Sequence, residues 1–139
     1  MANGKRLSRR AFALALPWLL VAARHRPRRH GHEHRAVGHP EPRPGITGEK
    51  VLSGDALKDA RAKTRKIYDM AREIPEIADG IYCYCNCTAM GHRSLLSCFE
   101  STQAIGCMGC RDIMEEAYKL AKDGKTLAEI RIELDKIFA

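Results

Sequence analysis

The sequence predicts a small, mainly α-helical domain of about four helices over residues 50–139, built around an extended, cysteine-rich loop. Three observations predict it. Apolar residues recur at spacings of three and four in several stretches after Asp55, and no region reads as a multi-strand sheet. All six cysteines fall between Cys83 and Cys110. Composition changes abruptly near residue 50, so a signal segment (1–23) and a disordered tether (24–49) are expected to precede the domain.

The elements follow in order. Leu57, Ala60, Thr64, Ile67, Ala71 and Ile74 form one stripe, which predicts an amphipathic helix from Asp55 to Glu73. Ser53 or Asp55 caps its start, and Pro75 discourages continuation. A short helix from Ser94 to Gln103 carries Leu95, Cys98 and Phe99, with Cys98 pointing inward. The next runs from Met108 to Asp123, buries Ile113, Ala117, Leu120 and Ala121, and stops at Gly124. Thr126-Leu127-Ala128-Glu129 is a capping box that opens a last helix with Leu127, Ile130, Leu134 and Ile137 inside.

The N-terminus reads as an address. Ser8-Arg9-Arg10-Ala11-Phe12 has the pattern of a twin-arginine export signal, followed by an apolar run to Ala23 and a small-residue site at Val21-Ala22-Ala23. Thirteen apolar residues span only about 20 Å as a helix, short of a ~30 Å hydrocarbon core. The expectation is a protein exported by the twin-arginine machinery to the periplasm or another extracytoplasmic space. The membrane is met only through the signal, which would act as a tether if left uncleaved. In the tether, His30, His32 and His34 alternate and form a weak tract for Cu, Ni or Zn, against the plainer reading of a low-complexity linker.

Charge excludes one class of partner. Residues 1–50 carry eleven Lys/Arg against three Asp/Glu, and residues 51–139 carry thirteen against fourteen. The basicity therefore belongs to the leader and tether, and a nucleic-acid-binding face is not expected on the domain. Nothing supplies a hydrolase: there is no Ser-His-Asp constellation and no phosphate-binding glycine loop.

The chemistry lies in the thiols. Cys83, Cys85 and Cys87 alternate, and alternating side chains share a side only in an extended segment. If Ile81–Thr88 is extended, the three face one way together. Cys107 and Cys110 stand at the first turn of the Met108 helix, where unpaired N–H groups and the dipole favour thiolate. With Cys98, all six sulfurs converge in one volume.

Tyr82-Cys83-Tyr84-Cys85-Asn86-Cys87, then Met90-Gly91-His92-Arg93-Ser94-Leu95-Leu96-Ser97-Cys98-Phe99, then Cys107-x-x-Cys110 resembles the CYCxC, or PCYCGC-motif, family of exported bacterial proteins. The tail Asp123–Arg131 resembles it as well. The likeness covers residues 50–139 and implies export together with thiol or selenol chemistry. It also places His92 inside the motif, as a ligand or thiol-activating group. Tyr82 stands where the family often has Pro, Asn86 where it often has Gly, and Gln103 where it often has His.

Three functions compete. The leading one is a soft transition metal, Cu or Zn, or an iron–sulfur cluster, held by Cys83, Cys85, Cys87, Cys98, Cys107 and Cys110 with His92. The second is thiol–disulfide exchange by the pair Cys107 and Cys110. The third is a set of disulfide staples in a structural or interaction domain. The first implies a metal donor as partner, and the second a redox partner.

Overall fold

The longest helix, α5 (Met108–Lys122), is the hub of the domain, and each of the other five helices packs against it. The computed structural model describes residues 38–139. Before α5 come α1 (Ala62–Glu73), α2 (Pro75–Asp79), α3 (Leu95–Phe99) and α4 (Gln103–Gly106), and after it α6 (Leu127–Phe138). Two 3₁₀ turns, Gly54–Leu57 and Cys87–Met90, complete the set, and there is no strand among the described residues. The expected mainly α domain is what forms. The signal segment and the tract His30, His32, His34 lie outside the described residues.

Helix α5 forms where periodicity and caps agree. Cys107 is its N-cap, Ile113, Met114 and Ala117 face inward, and Gly124 ends the turn beyond it with φ 80°. Helix α6 opens on the expected capping box, with the Thr126 hydroxyl accepting from the Glu129 N–H and the Glu129 carboxylate accepting from the Thr126 N–H. Its buried side chains are Ile130 and Leu134, whereas Ile137 is exposed.

Two predicted helices are broken in the structure. Leu57, Ala60, Thr64, Ile67 and Ala71 of the expected stripe are buried and Ile74 partly so, but Leu57 belongs to a 3₁₀ turn and α1 begins only at Ala62, after an extended Arg61. Burial periodicity reports which side chains face the core, and a tight turn meets the same demand as a helix. Pro75 does end α1, and it then serves as the first residue of α2, where its missing N–H costs nothing. The stretch 94–103 divides because Ser101 competes for the backbone. Its hydroxyl donates to the Cys98 carbonyl (3.3 Å) and accepts from the Gln103 N–H (3.2 Å).

The core is closed by Tyr68 and Phe99, which meet edge to face at 5.0 Å. The Tyr68 hydroxyl, fully buried with its ring, donates to the Ser101 carbonyl (2.9 Å). Leu95, Leu96, Ile113, Met114, Ile130 and Leu134 fill the space around them, and four cysteines continue the same cluster.

Composition assigns residues 38–48 to the tether. They are part of the fold, and the physical reason is one buried carboxylate. Asp79, at the end of α2, has no exposed surface, yet it accepts five hydrogen bonds. Three come from Arg43, from its backbone N–H (2.7 Å), Nε (3.0 Å) and Nη2 (2.9 Å). Arg93 Nη1 (3.0 Å) and the Ser94 hydroxyl (2.8 Å) supply the others. A buried charge is tolerated only when paired in this way. Asp79 thereby binds the 38–48 segment to the ends of α2 and α3, the two elements that flank the cysteine loop.

Candidate metal centre

The loop between α2 and α3 is not extended throughout, and this corrects the expectation that Cys83, Cys85 and Cys87 face one side. The chain turns at Tyr84, Cys85 and Asn86, then enters the 3₁₀ turn Cys87–Met90. Asn86 has φ 58°, the one left-handed residue other than glycine among the described residues. Asparagine tolerates that conformation better than most residues. The reversal brings Cys83 and Cys87 together on the inside and leaves Cys85 at the surface.

Cys83, Cys87, Cys98 and Cys110 form a buried tetrad, each with 1 % or less of its surface exposed. Their sulfurs all lie within 4.8 Å of one another. The distances from Cys83 Sγ are 3.3 Å to Cys87, 3.5 Å to Cys110 and 3.6 Å to Cys98, and Cys87 to Cys110 is 3.7 Å. Each cysteine comes from a different setting. Cys83 follows α2, Cys87 opens the 3₁₀ turn, Cys98 projects from α3 and Cys110 from the first turn of α5.

Cys85, Cys107 and Cys110 form a second group, again within 4.8 Å of one another, so the Cys110 sulfur belongs to both. Cys107 Sγ caps α5 by accepting the Cys110 N–H at 3.3 Å. Gly109 is what admits Cys85, since a Cβ built at Gly109 would lie 2.5 Å from Cys85 Sγ. Gly109 is a site residue that the sequence does not single out in advance, and Asn86 stood out there only as a departure from the motif. The usable signals were a glycine inside C-x-x-C and an asparagine where the motif carries glycine.

Thiol acidity is unevenly spread. Hydrogen bonds from Cys110 and Cys98 hold the Cys83 thiol well below its ordinary value, and the same contact pushes Cys110 up. Burial raises Cys85, and its contact with Cys107 adds to that. For Cys107, burial acts upward, but hydrogen bonds from the Cys110 thiol and N–H outweigh it and the net shift is downward. No two sulfurs among the described residues are at bonding distance.

His92 falls outside both sulfur groups. Its N–H donates to the Cys87 carbonyl (3.1 Å), and its Nδ1 is buried without a hydrogen-bond partner. Tyr84 packs against α6 and also anchors the loop. Its hydroxyl donates to Asp135 of α6 at 2.7 Å, and its ring lies 5.8 Å from that of Phe138. His39, which composition assigned to the tether, accepts the Tyr82 N–H at Nδ1 (3.1 Å) and donates from Nε2 to Asp135 (3.2 Å). A proline at position 82 would have no N–H to offer.

The comparisons with known proteins are few. Neither the curated proteins nor the solved structures gave a match. One family model, described as a protein of unknown function with PCYCGC motif, matches residues 22–139. Position 82 carries Tyr in place of the motif's first residue, position 86 carries Asn in place of its glycine, and the three cysteines coincide. With most of its length matched and its motif cysteines gathered into the buried tetrad and its surface neighbour, the chain belongs to the PCYCGC-motif family.

Proposed function

We propose that this is an exported metal-binding protein whose buried tetrad holds one thiophilic ion, Zn(II) or Cu(I). The single observation that carries the reading is the mutual contact of four buried sulfurs from four different settings. A tetrahedral ion with metal–sulfur bonds of about 2.3 Å needs sulfur–sulfur edges of about 3.8 Å. Four of the six edges, at 3.3 to 3.7 Å, are within a few tenths of an ångström of that geometry, and the other two are no longer than 4.8 Å. Several irons between their cysteine ligands would hold those sulfurs apart, so a single ion fits better than a cluster. The thiolates suit a soft cation, and the dry surroundings exclude competing water ligands.

Cys83, Cys87, Cys98 and Cys110 would bind the ion, while Asp79, through Ser94 and Arg43, and Asp135, through Tyr84, hold the two ends of the loop. Export rests on Arg9-Arg10 and is proposed with it, as are a metal donor and the twin-arginine machinery as partners. A second reading is thiol exchange through Cys107 and Cys110. One observation favours it: Cys107 is partly exposed, with its thiol pKa lowered at the start of α5.

Elemental analysis and thiol titration of the anaerobically purified full-length chain discriminate between them. Metal binding predicts stoichiometric ion, and Cys98→Ser should lose ion and thermal stability together, because binding free energy is part of folding free energy. A metal-free native protein that Zn(II) and Cu(I) neither bind nor stabilise overturns the reading. Exchange activity abolished by Cys107→Ser and untouched by Cys98→Ser would establish the second.

A further inference from the structure

We infer that the chain carries a second, solvent-facing ion at Cys85, Cys107 and Cys110, joined to the buried ion through the Cys110 sulfur. The inference rests on reading the tetrad as a metal site and goes beyond it, because it assigns the two thiols that the tetrad leaves unused. Three features of the structure converge on it. The sulfurs of Cys85, Cys107 and Cys110 lie within 4.8 Å of one another, the same closeness that defines the tetrad. Cys110 is common to both groups, and a thiolate has lone pairs enough to bridge two soft cations. The group is also built. The left-handed Asn86 turns Cys85 away from Cys83 and Cys87, and Gly109 leaves the space in which its sulfur sits.

The two positions differ in the way that matters for transfer. The tetrad is closed: four thiolates complete a tetrahedron and all four are buried. The outer group supplies three thiolates, with Cys85 exposed and Cys107 half-buried, so its ion keeps a side open to an incoming ligand. The N-terminus of α5, whose Cys110 N–H points at Cys107 Sγ, favours negative charge on that ligand. The inner ion is therefore structural and the outer ion exchangeable. Its exchange partner is a thiolate, on a small molecule or on another protein, that enters from the Cys85 side.

The probe is ¹¹³Cd(II), a thiophilic ion that reports each site by NMR. The full-length, reduced chain should take up two ions and give two resonances, coupled to one another through the shared Cys110 sulfur. Addition of excess glutathione should remove the outer resonance first. Cys85→Ser should bind one ion and keep the inner resonance. Gly109→Ala, which leaves every cysteine in place, should weaken the outer site alone, because its Cβ displaces Cys85 Sγ. Wild type that binds one ion, with Cys85→Ser binding the same one, overturns the outer site and leaves the tetrad reading standing. No ion in wild type overturns both. Loss of both ions together in natively folded Gly109→Ala overturns the division into two sites and replaces it with one six-thiolate cluster.

Discussion

Arg43→Ala should destabilise the chain by about 2–3 kcal/mol, although the residue lies in a segment whose composition reads as a linker. The variant removes two charge-assisted hydrogen bonds, from Nε (3.0 Å) and Nη2 (2.9 Å), to a carboxylate with no exposed surface. Losing the sole partner of a buried charge costs about 3–5 kcal/mol. Here Arg93, Ser94 and the residue 43 backbone N–H remain, and the Arg43 side chain is 36 % exposed, so the lower range applies. Starting the chain at Glu49 should cost more, since it also removes that N–H and the packing of Pro42 and Ile46. Urea unfolding followed by far-ultraviolet circular dichroism, with Zn(II) in fixed excess, measures both. A double-mutant cycle with Asp79→Asn isolates the pair. Arg43→Ala and Asp79→Asn effects that simply add would show that Arg43 does not hold Asp79, and would return residues 38–48 to the tether.

Three further outcomes are expected. Asn86→Ala should cost about 1 kcal/mol in the same unfolding assay and Asn86→Gly almost nothing, because the position has φ 58° and a Cβ is penalised there; equal effects would remove the left-handed turn from the account. Stability should fall as pH drops from 7 to below 4, from two groups of the same sign. Burial lowers the His39 pKa, so its contribution is present above about 6.5 and is lost below it; at Asp79, burial acts upward but the Arg43 hydrogen bonds outweigh it, so that contribution fades below about 4. His39→Gln should flatten the curve between pH 7 and 5 and leave the lower part, and an unchanged profile would contradict this assignment. Finally, Arg9→Lys with Arg10→Lys should leave precursor in the cytosol on fractionation, and unchanged export would refute the twin-arginine signal.

The parts of this protein legible in its sequence are those governed by neighbours in the chain. Helix α6 begins where Thr126 and Glu129 exchange hydrogen bonds three residues apart, and α5 spans the expected stretch between Cys107 and Gly124. Cys98 points inward because it shares a face with Leu95, and the family was readable from the spacing of its cysteines. The distribution of the six thiols was not legible. One left-handed residue, Asn86, separates Cys85 from Cys83 and Cys87, and the void at Gly109, more than twenty positions along the chain, receives its sulfur. The edge of the domain was hidden for the same reason. Arg43 and Asp79 are 36 positions apart, and His39 and Asp135 are 96 apart. A run of Arg, His and Pro has no periodicity that forecasts burial, and it folds here because one dry carboxylate needs its charge. Local patterns choose helices, whereas a cluster of sulfurs and a buried ion pair exist only once distant segments have met.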